Sequence, residues 1–218
     1  MRAASFVLAL LLSAVVHAAG PDPLPRAQPA EVGLSAERLK LLDGLLRGYV
    51  DEGKLAGNVL LVARHGKVVY YQAFGQRDRE ARSAMQTDAI FRIASQTKAH
   101  TTTAVMMLVE EGRIALNDPV SRFIPAYART TVMVNGQQVP ATRQITIRDL
   151  LTHTAGISYG TDSALAPLYR DKGLGPAAGN GWYTADKDEP VCTTMETLAT
   201  LPFARQPGEA WVYGYATD

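Results

Sequence analysis

The run Asn58-Val59-Leu60-Leu61-Val62-Ala63-Arg64, the pair His65-Gly66 and the return Lys67-Val68-Val69-Tyr70-Tyr71-Gln72-Ala73-Phe74 constrain this chain most. β-Branched and aromatic residues crowd both runs around a short Gly turn, the pattern of an antiparallel hairpin. The apolar positions are nearly continuous, which predicts a sheet covered on both faces. Two strands do not make a stable sheet alone, so this hairpin calls for helices against it and more strands beside it. Helices are available. Ser35 is placed as an N-cap ahead of Leu39, Leu42, Leu46 and Val50, predicting an amphipathic helix that ends near Gly53. A second helix opens at Ser95, runs to Glu111 and is closed by Gly112. Its interior, Ala104-Val105-Met106-Met107-Leu108-Val109, is apolar all round and predicts burial at the centre of a larger body.

Further along, Ile145 to His153 reads as a short helix led by Thr146, and Met195, Leu198 and Leu201 mark another stopped by Pro202. Residues 155–190 lose periodicity and gather six glycines, which predicts a long loop region. The stretch from Trp211 to Asp218 reads as the start of one more element, so further strands are expected beyond it.

The first residues have the grammar of a secretory signal. Arg2 is followed by an apolar stretch from Phe6 to Val16, and Val16-His17-Ala18 offers small residues for cleavage. Residues 1–18 are therefore expected to be removed and the product to be periplasmic or secreted. Residues 19–31 read as a Pro-rich tether, with four prolines between Gly20 and Ala30, and the folded part is expected from residue 32 to 218. Of the 218 residues 47% are hydrophobic, 22 are Lys or Arg and 21 are Asp or Glu. That near-neutral balance gives no basic surface for nucleic acid. A lone Cys192 excludes an internal disulfide and a multi-cysteine zinc site. No apolar run reaches the ~20 residues of a membrane-spanning helix. No cofactor is expected, and His65, His100 and His153 are too scattered to suggest a metal site.

One pair of residues carries chemistry. Ser95 and Lys98 lie three apart at a helix start and so share a face, about 5–6 Å apart. A Ser hydroxyl is a poor nucleophile until a base takes its proton, and a Lys held in an apolar site beside a helix N-terminus can be that base. By itself S-x-x-K is a weak signal, but its setting strengthens it. Phe91-Arg92-Ile93-Ala94-Ser95-Gln96-Thr97-Lys98, Leu116-Asn117-Asp118-Pro119-Val120, Ile147-Arg148-Asp149-Leu150-Leu151-Thr152-His153-Thr154-Ala155-Gly156 and Gln206-Pro207-Gly208-Glu209-Ala210-Trp211-Val212-Tyr213 follow one another in order. Together they resemble the serine β-lactamase and penicillin-binding superfamily, and most of all its class C β-lactamase-related, esterase-like serine hydrolases. The resemblance implies an α/β (α+β) fold of the β-lactamase/transpeptidase type, an antiparallel sheet flanked by helices plus a helical lobe, with Ser95 at their junction. It also implies that Ser95 is acylated, that Lys98 accepts its proton and that Tyr213 shares the general-base and leaving-group proton work. The substrate would be a small ester or amide-like molecule.

Two departures stand out. The family's Y-x-N pattern would put Asn at 215, where this chain has Tyr215, which favours esterase-like chemistry over β-lactamase or peptidase chemistry. The family's third motif, a strand with Lys or His and a Gly, does not follow Tyr213, so the chain is expected to be a fragment with little or no activity. The alternative class is an exported, non-catalytic ligand-binding protein on a degenerate fold of this type. A competing motif, Gly156-Ile157-Ser158-Tyr159-Gly160, matches the nucleophile elbow G-x-S-x-G, but a helix rather than a strand is predicted before it. Arg92 reads equally as a brace for the loop before Ser95 or as part of a surface ion pair, Glu110 and Glu111 read as a solvated helix end, and Trp182 and Tyr183 read equally as pocket lining or as a packing cluster.

Overall fold

The computed structural model describes residues 24–175 and 188–217, which fall into two compact units divided between Phe91 and Arg92. The signal sequence expected at 1–18 and the pair Trp182-Tyr183 lie outside the described residues.

In the first unit, helix α1 (Ala36–Asp51) starts where Ser35 Oγ accepts from Arg38 N, at 3.2 Å. It is followed by strands β1 (Gly57–Arg64), β2 (Lys67–Asp78) and the short β3 (Ser83–Ala84), in the order β1-β2-β3. β1 and β2 pair antiparallel from Gly57↔Gly75 to Arg64↔Lys67. The turn between them has φ of 50° at His65 and 71° at Gly66, the two left-handed residues that match the right-handed twist of a hairpin. Val68, Tyr70 and Phe74 are buried at alternating positions of β2 on the side of α1. There Tyr70 Oη donates to Asp43 Oδ1 at 2.6 Å, and the Arg47 guanidinium lies 4.9 Å over the Phe74 ring. Burial first, and Asp43 second, push the Tyr70 phenol up to about 12.

Two expectations need correction here. α1 covers one face of the hairpin, but Leu61 on β1 is exposed, so the described residues of this unit do not supply the two-sided cover that the continuous apolar run predicted. The Pro-rich tether is docked rather than loose over its described part. Val68 N donates to Pro25 O at 2.8 Å and Ala27 N donates to Val68 O at 3.1 Å, so Arg26 bridges β2 in parallel. Proline suits such an edge, because the one donor the bridge needs comes from Ala27. Residues Pro29–Val32 then form a 3₁₀ turn.

The second unit holds the core. A 3₁₀ turn (Ala94–Gln96) runs into α2 (Thr97–Glu110), and the hairpin β4 (Thr131–Val134) and β5 (Gln137–Pro140) follows. Then come α3 (Ile147–Leu151), α4 (Ala166–Asp171) and α5 (Val191–Ala199). Phe203 extends the β4–β5 sheet, with Phe203 N donating to Thr131 O and Met133 N to Phe203 O. Val132, Ile145, Ile157, Leu165, Tyr169, Leu198 and Phe203 are buried together. The β4–β5 hairpin and α4 both fall outside the sequence reading, the second inside the expected long loop. α4 is only six residues long, anchored by Leu168 and Tyr169 with Leu165 just before it, too short a pattern for periodicity to show. α2 differs as well. Its covered stripe is Lys98, Thr101, Val105 and Leu108, while Met106 and Met107 are exposed, so it is not buried all round among the described residues.

Candidate active site

The site is assembled on a segment that one carboxylate holds in place. Asp149 accepts from Arg143 Nη1 at 2.6 Å and Nη2 at 2.9 Å, from Thr146 N at 2.8 Å and Thr146 Oγ1 at 2.7 Å, and from Thr154 Oγ1 at 3.2 Å. Burial alone would raise its pKa. The Arg143 and Thr146 hydrogen bonds and the Arg143 charge outweigh that and hold it down at about 2. The same residue closes the capping box of α3, Thr146 Oγ1 accepting from Asp149 N. Asp149 O also accepts from Thr154 N and Ala155 N, so the chain leaves α3 in a fixed direction.

From there, 153–157 is stitched to 204–214. Ala204 N donates to Gly156 O, Gly208 N to Thr154 O and Val212 N to His153 O, each at 2.8 Å. Gly214 approaches so closely that a Cβ on it would lie 2.4 Å from Ile157 O. This contact brings both Tyr213 and Tyr215 against the Tyr159 ring. Tyr159 meets Tyr213 edge-on at 5.8 Å and Tyr215 edge-on at 4.7 Å. Tyr215, which stands where the family pattern has Asn, is buried as support for Tyr159.

Lys98 enters this cluster from the first turn of α2. It is only 8% exposed, and its Nζ donates to Tyr159 Oη at 3.0 Å. Its Nζ also faces two rings, 5.5 Å from the centroid of Tyr159 and 5.3 Å from that of Tyr213. One turn back on the same stretch, Ser95 is half-buried in the 3₁₀ turn. Ala94 before it has φ of +46°, a left-handed conformation that costs an Ala about 1–2 kcal/mol. Strain of this kind gathers where a side chain has to be aimed.

Of the three residues singled out from the sequence, Lys98 and Tyr213 are thus in contact, and Ser95 stands one turn from Lys98. Tyr159, the direct hydrogen-bond partner of Lys98, was missed, although it sits inside the G-x-S-x-G stretch. In that stretch Ser158 is a turn residue. It is 2% exposed, its Oγ donates to Asp162 Oδ2 at 3.0 Å and accepts from Gly160 N at 2.8 Å, and no strand precedes it. Its hydroxyl is committed to the Asp162 carboxylate and the Gly160 backbone. His153 was also passed over. Its ring lies 4.7 Å from that of Tyr213 and 6.1 Å from that of Trp211. His100 instead turns back on its own helix, with Nδ1 3.2 Å from Gln96 O. Cys192 is exposed at the start of α5.

The chain as a whole has relatives. Residues 42–218 match the family model described as Beta-lactamase. The chain belongs to the Beta-lactamase family. Among Beta-lactamase relatives, esterase EstB of Burkholderia gladioli is 36% identical over 191 residues, which are 87% of this chain and 46% of EstB. A protein of Mycobacterium tuberculosis with no characterised function is 38% identical over 79% of this chain and 42% of its own length. Among solved structures, EstCE1, titled a hydrolase with promiscuous acyltransferase activity, is 30% identical with a TM-score of 0.66, over 82% of this chain and 44% of EstCE1. Simvastatin synthase (LovD) from Aspergillus terreus is 25% identical with a TM-score of 0.63, over 84% of this chain and 45% of LovD. The fold is α+β and β-lactamase/transpeptidase-like, and the chain spans less than half the length of these relatives.

Proposed function

We propose that the full-length protein is an exported serine hydrolase that transfers the acyl group of a small ester or amide-like substrate to water through acyl-Ser95. The observation that carries this reading is Lys98, a buried amine side chain hydrogen-bonded to Tyr159 and facing the Tyr213 ring, one turn from Ser95. Ser95 Oγ attacks the carbonyl carbon while its proton passes to the Lys98–tyrosine group. That proton then goes to the departing alcohol or amine as its bond to the acyl carbon breaks. A water oxygen then attacks the acyl carbon as its proton passes to the same group, the acyl–Oγ bond breaks to release the acid, and that proton returns to Ser95 Oγ. Tyr213 shares the proton transfer, and Tyr159 holds Lys98 in place. The esterase and hydrolase names among the relatives support a small-molecule ester over nucleic acid or another macromolecule.

The test is covalent. A fluorophosphonate should add to Ser95, as read by intact mass and peptide mapping. Ser95→Ala should lose both the adduct and turnover of 4-nitrophenyl acetate while keeping its far-UV spectrum. An adduct that survives Ser95→Ala would falsify the assignment.

A further inference from the structure

Trp211 is 67% exposed, yet its ring lies against two others and the backbone beside it is pinned. Its indole stacks on Tyr213 at 5.8 Å and 27°, the His153 ring meets it edge-on at 6.1 Å, and the next residue is pinned through Val212 N to His153 O. A scattered exposed aliphatic side chain needs no explanation, but a large ring held rigid with much of its surface open to solvent is the usual form of a binding anchor. The neighbours of this ring give it a direction. Tyr213, itself 38% exposed, lies between Trp211 and the buried Nζ of Lys98, which is 5.3 Å from its ring. The row Lys98, Tyr213, Trp211 therefore runs from the buried amine to the surface, and its outer two members present rings rather than charges.

We infer that Trp211 and Tyr213 form a subsite for a planar aryl group of the substrate, so that the enzyme prefers aryl-bearing esters over simple alkyl ones. The inference rests on the acyl-Ser95 reading for the place of the ester carbonyl, and it adds the substrate class. A ring from the ester stacks on Trp211 as Trp211 stacks on Tyr213. Aromatic pairing of this kind gives about a two- to tenfold gain in affinity.

Equilibrium binding separates this inference from the hydrolase reading, because it needs no turnover. In full-length Ser95→Ala protein, dissociation constants for methyl acetate, methyl phenylacetate and benzyl acetate are measured by ligand-observed NMR. At least one aryl ester should bind about two- to tenfold more tightly than methyl acetate. Adding Trp211→Ala or Trp211→Leu should remove that advantage, and adding Trp211→Phe should keep most of it. Leu keeps apolar bulk without a planar face, so it decides the matter even where Ala perturbs the loop. An aryl advantage that persists in Trp211→Leu, or equal affinities in the Ser95→Ala parent, would overturn the subsite. A protein that binds aryl esters through Trp211 but never forms a Ser95 adduct would overturn the hydrolase reading and leave the subsite standing.

Discussion

Two residues bear the sharpest consequences. Asp149 has its folded pKa held at about 2, below the ordinary aspartate value of 3.8, so it favours the folded state above pH 4. As pH falls from about 4 to 2 the carboxylate protonates and that contribution, about 1–2 kcal/mol, is lost. Urea denaturation across this range should show an acid limb that is absent in Asp149→Asn. At neutral pH the same variant should be less stable by about 2–3 kcal/mol, because it strands Arg143 and opens the α3 cap. Tyr159→Phe tests the site. It removes the oxygen that accepts from Lys98 and leaves the ring against Tyr213 and Tyr215. The expected outcome is a fall in kcat of about 10²-fold with KM and the near-UV spectrum little changed. A fall of less than twofold would mean that Lys98 needs no tyrosine at this position.

At the scale of elements, two glycines separate lack of space from backbone conformation. Gly214 has no room, since its Cβ would meet the backbone of Ile157 and Ser158 at 2.4–2.8 Å. Gly214→Ala must push the 211–215 segment away from 157–159. Its predicted cost is about 1–3 kcal/mol, with loss of Ser95 labelling because Tyr213 and Tyr159 separate. Gly136, in the β4–β5 turn, has open space around it but φ of +78°. Gly136→Ala should cost about 1–2 kcal/mol through φ alone and leave the labelling rate unchanged. That turn was also legible. Val132, Val134 and Val139 alternate around Asn135-Gly136, the strongest short-range hairpin signal, and the reading passed over it. α4 had no such signal, because a six-residue helix held by Leu165 and Tyr169 gets its order from the core around it.

Over the whole molecule, order should follow the two units. In the second, the amides of Phe203 and Met133 are bonded into the β4–β5 sheet beside fully buried Val132. In the first, α1 leaves Leu41 and Leu45 exposed. Hydrogen exchange by mass spectrometry should find the peptides around 131–134 and 201–204 among the last to exchange, and those of α1 much earlier. The reverse order would show that stability lies in the first unit. Ser95, Lys98, Tyr159 and Tyr213 all fall in the second unit, so a stable platform and the reactive groups belong to the same body.

The sequence by itself determined whatever is local or repeats at a fixed spacing. Ser35 and Thr146 cap their helices, the His65-Gly66 turn closes its hairpin, and Ser95 precedes Lys98 by one helical turn, all from interactions between residues a few positions apart. The ordered motifs likewise carried the family and its α+β fold. Only the tertiary structure decided what surrounds Lys98. Tyr159 is 61 residues away in sequence, and it reaches Nζ because backbone bonds from 153–156 to 204–212 and the close approach of Gly214 bring three distant segments together. The same long-range packing turned Ser158 of a plausible motif into a turn residue and its neighbour Tyr159 into the partner of the lysine. No spacing rule reports such contacts, because the chain between them can take any path that the core allows.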